Sequence, residues 1–265
     1  MGLRALFVIV AAAIFVAALG ALVVRTPPRP TPGPDGIVIA PPAPDELPPP
    51  RTAKPPLPAR LAAAGFTQGD AVFVRVFKDE RVLEVWLKRG ERYALFDSYP
   101  ICAFSGGPGP KLAEGDGQSP EGFYEVGRRQ LNPDSAYHLA FDLGFPNAHD
   151  RMLGRTGSYL MVHGSCVSIG CYAMTDHGIT EIYGLVAAAL EAGQPGVPVH
   201  IFPFRMTPSA MAAAAADSTW AAFWANLKEG YDAFEATHVP PRVSACEGRY
   251  AFGAAGAGCT RIAAW

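Results

Sequence analysis

The 265-residue chain is 49% apolar and 17% charged, and its 22 basic and 24 acidic residues leave a formal net charge of −2. This composition supports one sizeable core, excludes a disordered chain, and carries no basic excess that would point to nucleic acid. From the N-terminus, residues 5–24 form an unbroken run of apolar or small side chains between Arg4 and Arg25. Twenty residues at about 1.5 Å each match the roughly 30 Å hydrocarbon layer, so residues 1–25 are expected to form an apolar helix. It would serve as a signal anchor or, with Ala18-Leu19-Gly20 as a cleavage site, as a signal peptide. Of the 26 prolines, 14 fall between Pro27 and Pro58, so residues 26–58 read as a Pro-rich linker. The chain behind this segment is expected to be exported to the periplasm or cell envelope, tethered to the inner membrane or released from it.

The folded part is expected from about residue 59. Ala71–Phe77 alternates with Val72, Val74 and Val76 on one face, and Val82–Lys88 and Arg92–Tyr99 follow across short polar connections, which predicts a strand meander. Ser105–Gly122 is a glycine-rich loop interrupted by prolines, followed by a strand at Phe123–Val126. Tyr137–Leu143 and Tyr159–His163 are further strand candidates. Beyond Cys171, Asp176 is placed to cap a helix over Gly178–Ala192, with Ile179, Ile182, Val186 and Leu190 along one stripe. A strand at Val197–Pro203 and helices at Ser209–Ala215 and Ser218–Ala236 complete the pattern. The order implies a β-rich α+β domain with appended helices, divided into a domain at 59–206 and a C-terminal helical extension at 207–265.

The densest chemistry lies in Met161–Tyr172, MVHGSCVSIGCY. A thiol near its ordinary pKa is only a few per cent thiolate at neutral pH, so a reactive cysteine needs an adjacent base. His163, at the end of a predicted strand, can fold back on Cys171 across the glycine-containing turn, and amides around Gly170 and Cys171 are candidate oxyanion donors. By spacing alone, a buried structural cysteine beside a satisfied histidine is equally compatible. A metal site of His163, Cys166, Cys171 and His177 lacks the paired ligand spacing that zinc uses, so no metal is expected. No phosphate-cradling loop follows a strand and opens a helix, and no cofactor is expected.

The stretch HGSCVSIGCYAMTD resembles the active-site segment of the L,D-transpeptidase (YkuD-type) catalytic domain, in its YafK-like branch. LEVWLKRGERYALFDSYPIC, GPKLAEGDGQSPEGFYEV, YHLAFDLGFPNAHDR and FWANLKEGYDAFEATHVPPRV extend the resemblance from about Val72 to Arg249. It implies a YkuD-like, mostly antiparallel β-sandwich and a peptidoglycan-modifying cysteine enzyme that acts on stem peptides through a thioester. In that reading Cys171 is the nucleophile and His163 the general acid/base, while Gly164, Ser168 and Gly170 support the nucleophile loop and the oxyanion. The chain departs from the broad family at Ile169, where a second histidine is common, and at Tyr172 and Ala173, near a common arginine. His138 and Tyr172 are candidate substrate contacts, with core packing the competing role for each. Lys111 and Arg151 either meet an acidic wall peptide or are solvated surface charges.

Expected partners are peptidoglycan stem peptides or a wall-attached lipoprotein, together with the membrane through the N-terminal segment. A murein L,D-transpeptidase is the first reading. A hydrolase or amidase that cleaves cross-links or releases lipoprotein is the alternative, and a non-catalytic wall-binding module is the second. The odd cysteine count permits disulfides with one thiol left over. Cys246–Cys259 and Cys102–Cys166 are candidate pairs that leave Cys171 free, and a bridge between Cys166 and Cys171 is the competing arrangement.

Overall fold

The computed structural model describes residues 54–215, 218–254 and 256–264; the expected N-terminal apolar helix and most of the Pro-rich linker lie outside the described residues. No described helix is long and apolar enough to cross a membrane. The described chain opens earlier than the expected residue 59, with helix α1 at Leu57–Ala64. Pro58 lies in its first turn, where the missing amide leaves no hydrogen bond unmade. Lys54 and Arg60 pair with Asp97, and Arg60 also pairs with Glu181, all at 2.7–2.8 Å, so the last residues of the presumed linker belong to the domain.

In chain order there follow β1 (Val72–Phe77), β2 (Val82–Arg89), β3 (Arg92–Pro100), β4 (Gly122–Val126), β5 (Leu131–Asn132), β6 (Ala140–Asp142), α2 (Ala148–Met152), β7 (Met161–His163) and β8 (Tyr172–Ala173). Then come α3 (Asp176–Glu191), β9 (Val197–Phe202), α4 (Pro208–Ala215), α5 (Ala221–Thr237), β10 (Val243–Cys246), β11 (Arg249–Phe252) and β12 (Thr260–Arg261). The central sheet has the order β3-β2-β1-β9-β4, with β1 and β9 parallel and its other neighbours antiparallel. A second sheet has the order β5-β6-β7-β8, and a third the order β11-β10-β12. These mixed sheets and helices make an α+β fold.

Every residue of β1 is buried, because the central sheet is covered on both faces. Val72, Val74 and Val76 join Leu83, Val85 and Leu87 in one core against Ile179, Ile182, Val186 and Leu190 of α3. The second core, on the other face, gathers Phe77, Phe123 and Phe202 with Trp224 and Leu227 of α5 and Tyr250 of β11. Arg75, only 2% exposed, lies among the rings of Phe77, Trp86, Phe202, Tyr231 and Phe234 and pairs with Glu235 at 2.7 Å. The aromatic faces keep this cation tolerable in a largely apolar layer.

Two expectations are corrected. Tyr137–Leu143 is strand only at Ala140–Asp142, because Tyr137–Leu139 turn and His138 takes a positive φ of 71°. The C-terminal extension is not purely helical: after α4 and α5 it forms the three-stranded sheet, stapled by a Cys246–Cys259 disulfide. Its strands are too short to show periodicity.

Helix α5 is held close to the second core by Gly230, whose Cβ position lies 2.6 Å from Phe123 Cζ and closer still to Phe252. An alanine in a helix interior ordinarily gains about 1 kcal/mol over glycine. Here the overpacking, which typically costs about 1–3 kcal/mol, is expected to win. Gly230→Ala should therefore lower the urea midpoint, and a raised midpoint would show that this helix packs loosely.

Candidate active site

Strands β7 and β8 run parallel, with Val162 opposite Tyr172 and His163 opposite Ala173. Parallel neighbours ordinarily need a crossover of a dozen or more residues, yet here only residues 164–171 connect them. The turn is achieved with Ser165 and Cys166 in consecutive left-handed conformations (φ 66° and 52°) and Gly170 at φ 150°. A left-handed residue other than glycine costs on the order of 1–2 kcal/mol, so the surroundings must hold these two in place. Asp176 at the start of α3 accepts the Ser165 amide at 2.8 Å, and the Cys166 amide reaches the Met174 carbonyl at 3.4 Å. Cys166 is also bonded covalently to Cys102, just beyond the end of β3. With Cys246–Cys259 formed as well, Cys171 is the one free thiol among the described cysteines, and a Cys166–Cys171 bridge is absent.

His163 is 3% exposed, and its Nδ1 lies 2.7 Å from the Gly164 carbonyl. A carbonyl can only accept, so Nδ1 carries the hydrogen and the neutral ring presents Nε2 as a base. Burial pushes the imidazole pKa below the ordinary histidine value, and the Gly164 contact only partly opposes this. The Tyr137 ring lies against the imidazole, with centroids 4.8 Å apart. Gly164 has no room for a side chain, since a Cβ would lie 2.7 Å from Asp176 Oδ1 and 2.9 Å from the Tyr137 carbonyl.

The Cys171 sulfur accepts the Met161 amide and donates to the Tyr159 carbonyl, each at 3.4 Å. It makes no hydrogen bond to His163 among the described contacts. Burial raises the thiol pKa; the Met161 amide opposes this, Asp142 adds to the rise and Lys111 counters it. At neutral pH the resting groups are therefore a neutral imidazole at the end of β7 and a neutral thiol just before β8. The Cys171 carbonyl is held twice, by Ser168 Oγ at 2.7 Å and by Ser119 Oγ at 3.2 Å.

The other expected residues divide. Ser168 fixes the loop at 164–171, also accepting the Gly170 amide at 3.1 Å. The Gly164 amide is taken by the Tyr137 carbonyl at 3.0 Å, so in this conformation neither glycine amide is free to meet an oxyanion. His138 is exposed, beside Gly164, and bonds to Thr180 at 2.9 Å; it is not a strand residue. Tyr172 does not face substrate: it is fully buried in the main core, and its hydroxyl donates to the Pro120 carbonyl at 2.7 Å. The α3 cap is Thr175, whose hydroxyl accepts the Gly178 amide at 3.0 Å, rather than Asp176. Arg151 is exposed and donates to the Pro146 carbonyl.

Of three further neighbours of the site, Asp142 and Ser119 are not singled out from the sequence, while Lys111 reads there as a substrate contact or a surface charge. Lys111 is no solvated charge: it is 3% exposed and pairs with Asp116 at 2.7 Å. Asp142, opposite Met161 in the β6–β7 ladder, is 9% exposed, and burial raises its pKa despite the Gly144 amide. Ser119 reaches Cys171 from the glycine-rich loop. The dense turn residues around Lys111 and Ser119 signalled a built loop, but nothing local told which residues it folds toward.

Alkylation of the native protein should label Cys171 alone, and all five cysteines after reduction and unfolding. Because the fold holds this thiol above its ordinary pKa, labelling should be slower than in the unfolded chain at neutral pH and keep rising past the ordinary thiol range. The same shift predicts that stability falls as pH rises between the unfolded and folded thiol pKa values, since the unfolded chain loses its proton first. Equal labelling rates in the folded and unfolded chain would contradict the burial.

Residues 71–201 match the YkuD model, described as the L,D-transpeptidase catalytic domain. The chain is 56% identical over 182 residues to YafK of Escherichia coli (strain K12), which bears an L,D-transpeptidase name, covering 69% of this chain and 74% of that one. The solved helical cell shape determining protein Pgp2 of Campylobacter jejuni aligns at 24% identity and a TM-score of 0.39, covering 54% of each chain. Mycobacterium tuberculosis L,D-transpeptidase 1 aligns at 15% identity and a TM-score of 0.28, over 51% of this chain and 64% of that one. The structural likenesses are low, and the sequence matches carry the assignment. On that ground, the chain belongs to the YkuD-type L,D-transpeptidase family, in its YafK-like branch.

Proposed function

We propose that the chain is a cysteine acyltransferase of peptidoglycan stem peptides, working in the cell envelope. The observation that carries this reading is the short loop at residues 164–171, which follows directly on a histidine of defined tautomer and ends in the free thiol of Cys171. The two disulfides support an oxidising compartment, in keeping with the apolar run at residues 5–24.

In the proposed cycle the Cys171 thiol turns from the Tyr159 carbonyl toward His163 Nε2 and gives up its proton as it attacks a stem-peptide carbonyl carbon. Hydrogen bonds of this kind commonly tighten only when substrate is bound. The oxyanion is met by the Cys171 amide, while Ser168 and Ser119 fix the next peptide unit by holding the Cys171 carbonyl. Collapse breaks the carbon–nitrogen bond, and the leaving amine takes the proton from Nε2, leaving a thioester on Cys171. The acceptor then gives a proton to Nε2, attacks the thioester carbonyl and regenerates the thiol. An amine acceptor makes a transpeptidase; water makes a hydrolase that cuts cross-links or frees wall-attached lipoprotein.

Incubating the protein with intact cell wall and identifying peptides by mass tests this directly. Joined peptides indicate transfer, and released peptides indicate hydrolysis. Cys171→Ala should abolish either product, while His163→Ala should lower kcat/KM by about 10²–10⁴-fold, the usual contribution of a general base. Unchanged product from Cys171→Ala would overturn the proposal, and wild-type binding to wall without any product would favour a binding module.

A further inference from the structure

We infer that helix α5 of the C-terminal extension, which lies beyond the matched residues 71–201, is a positioning element of the nucleophile loop, acting through Trp224 and Glu121. The inference builds on the site proposed above and adds a second part of the chain to it.

Glu121 is 1% exposed and lies immediately before β4. One carboxylate oxygen accepts the Trp224 indole N–H from α5 at 2.9 Å. The other accepts the Gly109 amide at 2.6 Å and the Lys78 ammonium at 3.2 Å. Lys78 is fully buried as well and donates to the Gly107 and Gly109 carbonyls at 3.0 and 2.8 Å. Buried charges of this kind persist only when fully hydrogen-bonded, and here their partners are the backbone of the glycine-rich loop and one indole from α5. A second indole closes the same point, since a Cβ on Gly109 would lie 2.9 Å from Trp220 Nε1.

The two residues before Glu121 hold the nucleophile segment. Ser119 Oγ donates to the Cys171 carbonyl at 3.2 Å, and the Pro120 carbonyl accepts the Tyr172 hydroxyl at 2.7 Å. Ser119 is itself fastened across the loop, with its amide on the Ser105 carbonyl and its hydroxyl accepting the Ser105 amide. A continuous series of short contacts thus runs from the α5 indole to the backbone of the nucleophile. Trp224 and Glu121 are positioning residues in this arrangement: they act on Cys171 only through Ser119 and Pro120.

Loosening the series should expose Cys171 and leave its peptide unit poorly aimed. The two effects have opposite signs, which separates positioning from mere stability. In full-length protein, Trp224→Phe and Glu121→Gln should each speed iodoacetamide labelling of Cys171 at neutral pH several-fold and move its pH profile toward the ordinary thiol range. Turnover of wall peptides should fall by about 10- to 100-fold in kcat with KM little changed, the scale expected when a reacting group is misplaced by about 1 Å. Phe234→Leu, on the same helix but packed against Arg75 and Trp86, serves as control and should lower the melting temperature without moving the labelling profile. If all three variants melt earlier while the Cys171 profile stays at the wild-type position, α5 is a packing element only and the inference falls. If the profile moves in Trp224→Phe or Glu121→Gln but wild-type protein processes no wall peptide, the positioning stands and the proposed activity fails.

Discussion

The rest of the site depends on a parallel strand pair closed by a turn far shorter than such pairs ordinarily allow. Residues 164–171 carry the chain from the end of β7 to the start of β8, so that His163 ends one strand and Cys171 directly precedes its parallel neighbour. Ser165 and Cys166 pay for the turn with left-handed backbone. The disulfide to Cys102 and the Asp176 carboxylate, both outside the turn, hold them there. A base and a thiol a few residues apart are common in sequence; the constraint brings the backbones that carry them together across one parallel pair.

Desolvation then sets their resting charge. Burial lowers the His163 pKa and raises that of Cys171, so the site stores no ion pair at rest. The bond from Nδ1 to the Gly164 carbonyl fixes which ring nitrogen is left to act. In the proposed cycle, charge develops only as a carbonyl is attacked, where a fixed peptide unit can receive it without reorganising. Lys111 and Asp142 bracket the thiol electrostatically with opposite effects on its ionisation.

Around this turn the fold is two-sided. One core, between the central sheet and α3, carries β7 and β8 and buries Tyr172. The other, between the same sheet and α5, carries the C-terminal strands. The Lys78–Glu121 pair ties the glycine-rich loop to α5, while Ser119 and Pro120 of the same loop reach Cys171 and Tyr172. A loop rich in glycine becomes a defined wall because its carbonyls and amides are bound to two buried charges and a glutamine, Gln118.

By itself the sequence determined β1 and β2 from their alternation, β3, β4 and β9 as short apolar runs between turns, and the helix α3 from its apolar stripe, because such patterns are written locally. It also put Cys171 and His163 eight positions apart, a spacing that a structural pair would fit equally well and that the resemblance of the surrounding motif set apart. Only the tertiary structure decided that β1 is buried on both faces, that Tyr172 points into the core, and that Lys111 is buried rather than solvated. It also decided that β10 to β12 form a sheet, since two- to four-residue strands have no period to read. The partners of Glu121 and Ser119 lie 103 and 52 positions away in the chain, and no local pattern encodes contacts at such separations. Local periodicity reports which side of an element is apolar; what that side meets is settled only when the chain closes on itself.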